Sequence, residues 1–225
     1  MGVHGGPDIV EDGLVFAVDA GNGQSYVSAS LDTTSIIPST STGSLKNDIG
    51  FSSNNQGIWS FDGVDDHIEF AQTSGQYTQD PCSFGFWVKL DNMSSGYPIV
   101  VDFVDGDGIQ IYADEIGGDN KFYMRGQGAA SAHASTATIS FNTWYHIIIT
   151  FVGTSLKFYI DGQLDSTATW SAGVITSAKT MYLGVYRDGS SYEWEGNIAN
   201  MKIYHKELSA SEVTQNYNAT KERFI

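Results

Sequence analysis

Apolar and polar residues alternate most plainly over residues 142–164. Trp144 opens a run dense in β-branched and aromatic side chains that ends at Phe151. A Gly153-Thr154-Ser155 turn follows, then a run from Leu156 to Ile160, then Asp161-Gly162 and a third run from Gln163. Strand residues punctuated this way predict an antiparallel meander. Asp-Gly fits a two-residue hairpin turn, in which both central residues take positive φ. Leu156, Phe158 and Ile160 fall on one face of their strand, and Lys157 and Tyr159 on the other. One face is predicted dry and one wet, which is the repeating unit of a β-sandwich.

The same alternation recurs along the chain. Phe84, Phe86, Val88 and Leu90 alternate with Ser83, Gly85, Trp87 and Lys89. Further strands are predicted over residues 14–19, 58–61, 67–70, 98–103, 108–112, 121–125, 181–186 and 196–204. Residues 24–55 are mostly Ser, Thr, Asn and Gly and read as a long surface excursion pinned by Tyr26 and Phe51. Near the end, Ser209-Ala-Ser-Glu212 has the form of a capping box. With Leu208, Val213 and Tyr217 as its apolar stripe, it predicts a short helix ending near Asn218. The expected fold class is all-β: an antiparallel two-sheet sandwich with a short C-terminal helix. Residues 12–225 form one domain in this reading, and residues 1–11 a polar arm suited to anchoring.

Composition narrows the function. The 225 residues are 41% hydrophobic, enough for a sizeable core, and no apolar run is long enough to cross a bilayer. The formal charge is −15, from 26 acidic and 11 basic residues. That argues against nucleic acid as a partner, because phosphate contacts need clustered Lys and Arg. The single cysteine, Cys82, leaves no internal disulfide, so the core must supply stability. The first residues lack the basic and apolar segments of a secretory signal, so synthesis in a cytoplasm is expected.

Several motifs occur in an order that marks a known family: Ser60-Phe-Asp-Gly-Val-Asp-Asp-His-Ile, Phe84-Gly-Phe-Trp-Val, Trp144-Tyr-His-Ile, Leu156-Lys-Phe-Tyr-Ile-Asp-Gly, Gly196-Asn-Ile-Ala-Asn-Met-Lys-Ile-Tyr and Leu208-Ser-Ala-Ser-Glu. Together they resemble the laminin-G-like, concanavalin A-like jelly roll over roughly residues 13–217. Two outer pieces, Asp12-Gly-Leu-Val-Phe-Ala-Val-Asp-Ala-Gly-Asn and Gln215-Asn-Tyr-Asn-Ala-Thr-Lys-Glu-Arg-Phe, are similar to laminin-G-like virion proteins of marine tailed phages, especially cyanophages. That resemblance implies a protein of the virion surface, a capsid decoration or a tail or fibre component, with other virion proteins as partners. Fold alone does not give function.

Glycan hydrolases on this sandwich place paired carboxylates on one strand. Here Glu115-Ile-Gly-Gly-Asp119 has glycine at the central acid, and Glu193-Trp194-Glu195 lacks the rest of the pattern. The expectation is a non-enzymatic protein. The five histidines show no metal spacing, and His146 reads as a packed strand residue. Asp105-Gly-Asp107-Gly has the chemistry of a calcium loop, since hard cations take several oxygen ligands, and equally that of a hairpin turn. The resemblance to pentraxins implies the same calcium position for Asp105 and Asp107, with Asp188 as a further ligand. This chain departs from that pattern by Tyr186 in place of a glutamate and by Arg187 beside it. Asp62, Asp65 and Asp66 read as turn formers.

Sugar recognition takes aromatic faces and planar polar groups. Trp59, Tyr97, Tyr112, Trp170, Tyr186, Tyr192 and Trp194 lie near predicted turns or strand ends. Most aromatics in a sandwich are core, but Tyr186, Tyr192 and Trp194 share one loop region with Asp188 and form the candidate glycan site. The favoured function is a virion surface module presenting a glycan- or host-binding face. Two alternatives stay open, a free lectin-like or glycosidase accessory module and a shell-reinforcing protein, as does homo-oligomerisation.

Overall fold

The computed structural model describes residues 8–36, 41–71, 80–93, 96–103, 109–114, 119–126, 132–170 and 180–225. In chain order the strands are β1 (Leu14–Asp19), β2 (Asp32–Thr34), β3 (Thr42–Lys46), β4 (Gly50–Ser52), β5 (Ile58–Asp62), β6 (His67–Ala71), β7 (Cys82–Asn92), β8 (Ile99–Phe103), β9 (Ile109–Asp114), β10 (Lys121–Gly126), β11 (His133–Ala134), β12 (Trp144–Val152), β13 (Ser155–Ile160), β14 (Gln163–Thr169), β15 (Thr180–Leu183) and β16 (Glu195–Tyr204). Helix α1 (Ala210–Thr220) follows. Among the described residues these make two eight-stranded sheets. One is ordered β14-β13-β12-β7-β16-β5-β4, with β1 also on β16, and the other β11-β10-β9-β8-β15-β6-β3-β2. Every pairing is antiparallel. The expected fold class is therefore the observed one.

The alternation in β7 explains the core. Phe86 sits opposite Ile147 of β12 and Met201 of β16, so three apolar side chains line up across the first sheet. All three are fully buried. The second sheet answers from the other side: Phe103 of β8 meets Phe84 at 5.8 Å, and Phe70 of β6 meets Phe16 edge-on at 5.2 Å. The meander of β12, β13 and β14 turns at Asp161 (φ 49°) and Gly162 (φ 79°), the positive pair that Asp-Gly favours.

The wet face expected for the first sheet is largely dry. Trp87 and Tyr204 are 0% exposed and Tyr159 is 4%, because α1 and the residues after it lie over them. The helix starts as expected, with the Ser209 hydroxyl accepting from the Glu212 N–H and Glu212 reaching back to the Ser209 N–H. Leu208 and Val213 pack against Ile148, Tyr159 and Tyr204. From the start of the chain, the Val10 N–H donates to Asn216 Oδ1 and the Asp8 carbonyl accepts from Gln215, so residues 8–11 run along this helix. Residues 1–7 of the expected arm lie outside the described residues.

The 24–55 excursion is pinned as expected, Tyr26 lying 5.2 Å from Phe51 and 5.7 Å from Trp59. It also carries β2, β3 and β4, which extend both sheets. These strands escape a pattern search because they pair through backbone groups with little apolar alternation. Gly43 shows why small residues belong there: a Cβ at that position would meet the Phe70 ring at 2.3 Å. Among the described residues, no helix is long and apolar enough to cross a membrane.

The two ends of the chain are tied by Arg223. Its guanidinium spans both Asp19 oxygens at 2.7 and 3.0 Å and donates to the Gly57 and Asn55 carbonyls at 3.1 and 3.0 Å. Lysine keeps the charge but not the planar fork. Arg223→Lys is expected to cost about 2 kcal/mol in urea unfolding, from the charge-assisted bonds left unmade in a largely buried place. A change within error would show the clamp to be redundant.

Candidate functional site

Strand register builds the site. On the outer face of the second sheet β9 presents Gln110, Tyr112 and Asp114, and β10 presents Arg125, Tyr123 and Lys121 directly opposite them. Tyr112 and Tyr123 stack at 5.4 Å with an interplanar angle of 14°. Two loops add three more rings. Tyr97 meets Tyr112 edge-on at 6.0 Å and Tyr192 at 5.5 Å, and Tyr192 meets Tyr186 at 5.5 Å. Five tyrosines thus form one unbroken chain of ring contacts. They line a cleft of about 450 Å³ together with Ile99, Gln110, Asp114, Arg125 and Ala132. That volume lies within the usual range of small-ligand sites.

The loop carrying Tyr186 and Tyr192 is held in place. The Tyr186 N–H donates to the Ser191 carbonyl, and the Ile99 N–H of β8 donates to the Tyr192 carbonyl. Tyr192 takes φ 56° and stays 39% exposed, so its ring stands at the rim. The Arg187 guanidinium covers the Tyr186 ring at 4.7 Å, a cation–π contact that orients the tyrosine. Burial pushes the Tyr112 hydroxyl up to about 12 and raises that of Tyr123 as well, so both are neutral phenols that donate and accept near neutral pH.

Beneath the cleft, Asp102 ties floor to loop. Its Oδ2 accepts from Gln110 Nε2 at 3.0 Å and from the Arg187 N–H at 3.1 Å. The residue is fully buried, and burial pushes its carboxyl up to about 6 from the ordinary 3.8, against the opposing pull of those hydrogen bonds and Arg187. A raised carboxyl favours the protonated form in the folded chain. The associated stability is complete below about pH 4 and is lost as the pH rises through about 6, on the order of 2–3 kcal/mol for a group this buried. Asp102→Asn keeps an acceptor and removes the charge. Thermal or urea unfolding between pH 4 and 8 is expected to show a steeper fall in the parent than in the variant, in which the raised carboxyl of Asp66 still titrates. Parallel curves would mean that Asp102 carries no such burden.

The expected site residues separate here. Tyr186 and Tyr192 belong to the cleft. Trp194 does not: it is 0% exposed with its ring in the main core, and its charged neighbours Glu193 and Glu195 alternate outward. Trp59 and Trp170 are buried likewise, whereas Tyr97 and Tyr112 line the cleft. Asp188 is exposed and engaged with its own loop, accepting from the Ser190 N–H at 3.0 Å and the Ser191 hydroxyl at 2.8 Å. Asp105 and Asp107 lie outside the described residues, as does Glu115. His146 is buried against Trp87 at 5.1 Å, and burial with the nearby Lys202 charge lowers its pKa to about 3. It packs as expected. Sequence reading missed Tyr123, Arg125, Gln110 and Asp114. The alternation of Lys121, Tyr123 and Arg125 was the available signal.

A laminin-G-type family model, described as the Concanavalin A-like lectin/glucanases superfamily, matches residues 61–214. This is more than half of the chain, and the chain belongs to that family. Comparison with curated proteins finds no match. Among solved structures, domain 4 of AbnA, an extracellular arabinanase from Geobacillus stearothermophilus solved with arabinotriose, superposes with a TM-score of 0.72 at 17% identity, covering 91% of this chain and 98% of that domain. The binding domain of Paraclostridial Mosquitocidal Protein 1 gives 0.70 at 16%, covering 92% of this chain and 52% of that one. Trypanosoma rangeli sialidase, solved with 2,3-difluorosialic acid as a covalent intermediate, gives 0.70 at 16%; 94% of this chain is covered but only 34% of the sialidase. This chain therefore spans about a third of the sialidase's length. At these identities the likenesses carry the fold.

Proposed function

We propose that this chain is a non-catalytic carbohydrate-binding module whose ligand lies in the tyrosine cleft. The observation that carries the reading is the continuous run of Tyr186, Tyr192, Tyr97, Tyr112 and Tyr123 beside Gln110, Asp114 and Arg125. Flat apolar faces suit the C–H faces of sugar rings, while the phenol, amide, carboxylate and guanidinium groups suit hydroxyls. Arabinotriose in domain 4 of AbnA and sialic acid derivatives in the sialidase define the ligand types to test first. Binding without hydrolysis is supported by the acids of the cleft. Among the described lining residues Asp114 is the sole carboxylate, where most glycoside hydrolysis takes a pair. A glycan array followed by calorimetry on the leading sugars tests the reading; silence across arabino-, gluco- and sialo-oligosaccharides would refute it.

A second reading places the module on a virion surface, on a capsid or tail. What favours it is that the two outer segments with the phage-like motifs meet in space, through Arg223 of the second and Asp19 of the first. The resemblance thus falls on one structural unit. Co-purification of the chain with phage heads or tails tests that setting, and its absence from purified particles would end it.

A further inference from the structure

Asp62, Gly63, Val64, Asp65 and Asp66 make the crossing from β5 in one sheet to β6 in the other. The neighbouring crossing, from β3 to β4, carries Asn47 and Asp48. The two turns touch: Asn47 Nδ2 donates to the Asp65 carbonyl at 2.9 Å, and Asn47, Asp48, Asp62 and Asp66 line one hollow at the end of the sandwich. One carboxylate oxygen from each of Asp62, Asp65 and Asp66 lies within 4.8 Å of the others. This is about twice a calcium–oxygen bond of ~2.4 Å, so the three fit a single coordination shell.

A cluster of acids at a surface turn is common, and the deciding feature is Asp66. The residue is only 4% exposed. Its Oδ2 accepts from the Asp62 N–H at 3.0 Å, but its Oδ1 is buried with no hydrogen-bond partner. A buried carboxylate oxygen without a partner is costly and calls for one. Protein cations do not supply it. Among the described residues, no Lys, Arg or His nitrogen comes within 4.0 Å of the carboxylates of Asp48, Asp62, Asp65 or Asp66; Lys46 is turned to Glu69, and the His67 ring lies between Glu69 and the Asp65 carbonyl. We infer that this double turn binds one calcium ion, with Asp62, Asp65 and Asp66 as carboxylate ligands and Asp48 adding to the field. Calcium suits it better than magnesium, because carboxylate oxygens spread over as much as 4.8 Å fit calcium's longer bonds, whereas magnesium demands a tighter octahedron with bonds of ~2.1 Å. The ion ties two crossings between the sheets and stabilises that end of the sandwich.

The test uses the whole chain after removal of metals with a chelator. Calorimetry with calcium chloride is expected to show one ion per chain, with magnesium binding at least ten-fold more weakly, and millimolar calcium is expected to raise the melting temperature by a few degrees. Asp65→Asn removes an exposed carboxylate whose oxygens make no hydrogen bond among the described residues, and is expected to weaken calcium binding ten-fold or more without lowering the chelator-treated melting temperature. Asp66→Asn is expected to abolish binding. Asp188→Asn is expected to leave it intact. An absence of calcium binding by the parent chain, survival of full affinity in both Asp65→Asn and Asp66→Asn, or loss of the ion in Asp188→Asn would each overturn the site.

Discussion

Trp87→Ala is expected to destabilise the chain by about 3–5 kcal/mol, the usual cost of emptying a large buried aromatic site. Trp87 stands on the outer face of β7, where alternation alone would leave it in water, yet it is 0% exposed. Phe224 stacks on it at 4.3 Å, Tyr217 lies nearly parallel at 6.0 Å, His146 packs at 5.1 Å, and its Nε1 donates to the Thr220 hydroxyl at 2.8 Å. One indole therefore meets Tyr217, Thr220 and Phe224 together, a shared anchor for the chain's last residues on the first sheet. Trp87→Phe keeps a stacking face and loses the hydrogen bond, so it is expected to cost nearer 1–2 kcal/mol. Urea unfolding measures both, and hydrogen exchange over residues 210–225 reads the docking directly. Fast exchange there in Trp87→Ala, with the strands still protected, is the expected signature; unchanged protection would show that the segment is held elsewhere.

Strand alternation and turn chemistry made the sandwich readable, because they are local. The Asp161-Gly162 turn, the Phe84 to Leu90 face and the Ser209–Glu212 capping box each need only a few neighbouring residues. What alternation could not say is whether a polar-looking face stays wet. Trp87 and Tyr159 occupy the expected outer face and are buried because a helix more than fifty residues later in the chain returns to cover them. The cleft follows the same rule. Tyr186 and Tyr192 are close in sequence and were legible as a pair, whereas Tyr123 becomes part of the site only through its register opposite Tyr112. Register comes from pairing across the sheet, which a single strand does not encode. Trp194 shows the converse. A large aromatic beside a loop looks like a binding residue, but the Glu193-Trp194-Glu195 alternation turns the acids out and the indole in.

Tyr123→Ala is expected to weaken glycan binding about 30-fold, the loss of roughly 2 kcal/mol that marks a central aromatic contact. Tyr123 is half-buried, lies on a regular strand, and stacks on Tyr112, so its ring is fixed before any ligand arrives. Pre-set aromatic faces lose little freedom on binding, which is where their affinity comes from. Tyr192, at the exposed rim, touches Tyr97 and Tyr186 only by ring edges, so Tyr192→Ala is expected to cost less, about five-fold. Tyr123→Phe keeps the face and drops the hydroxyl, separating stacking from hydrogen bonding. Calorimetry against the best sugar from the array measures all three, with circular dichroism to confirm the fold. Arg125→Gln then sorts the ligand by charge. With a formal charge of −15 on the chain, an acidic sugar must be held against the general field, and its binding would depend steeply on Arg125 and on salt. A neutral oligosaccharide would show neither dependence. Full affinity in both Tyr123→Ala, at the strand end of the run of rings, and Tyr192→Ala, at its rim, would remove the cleft as the binding site.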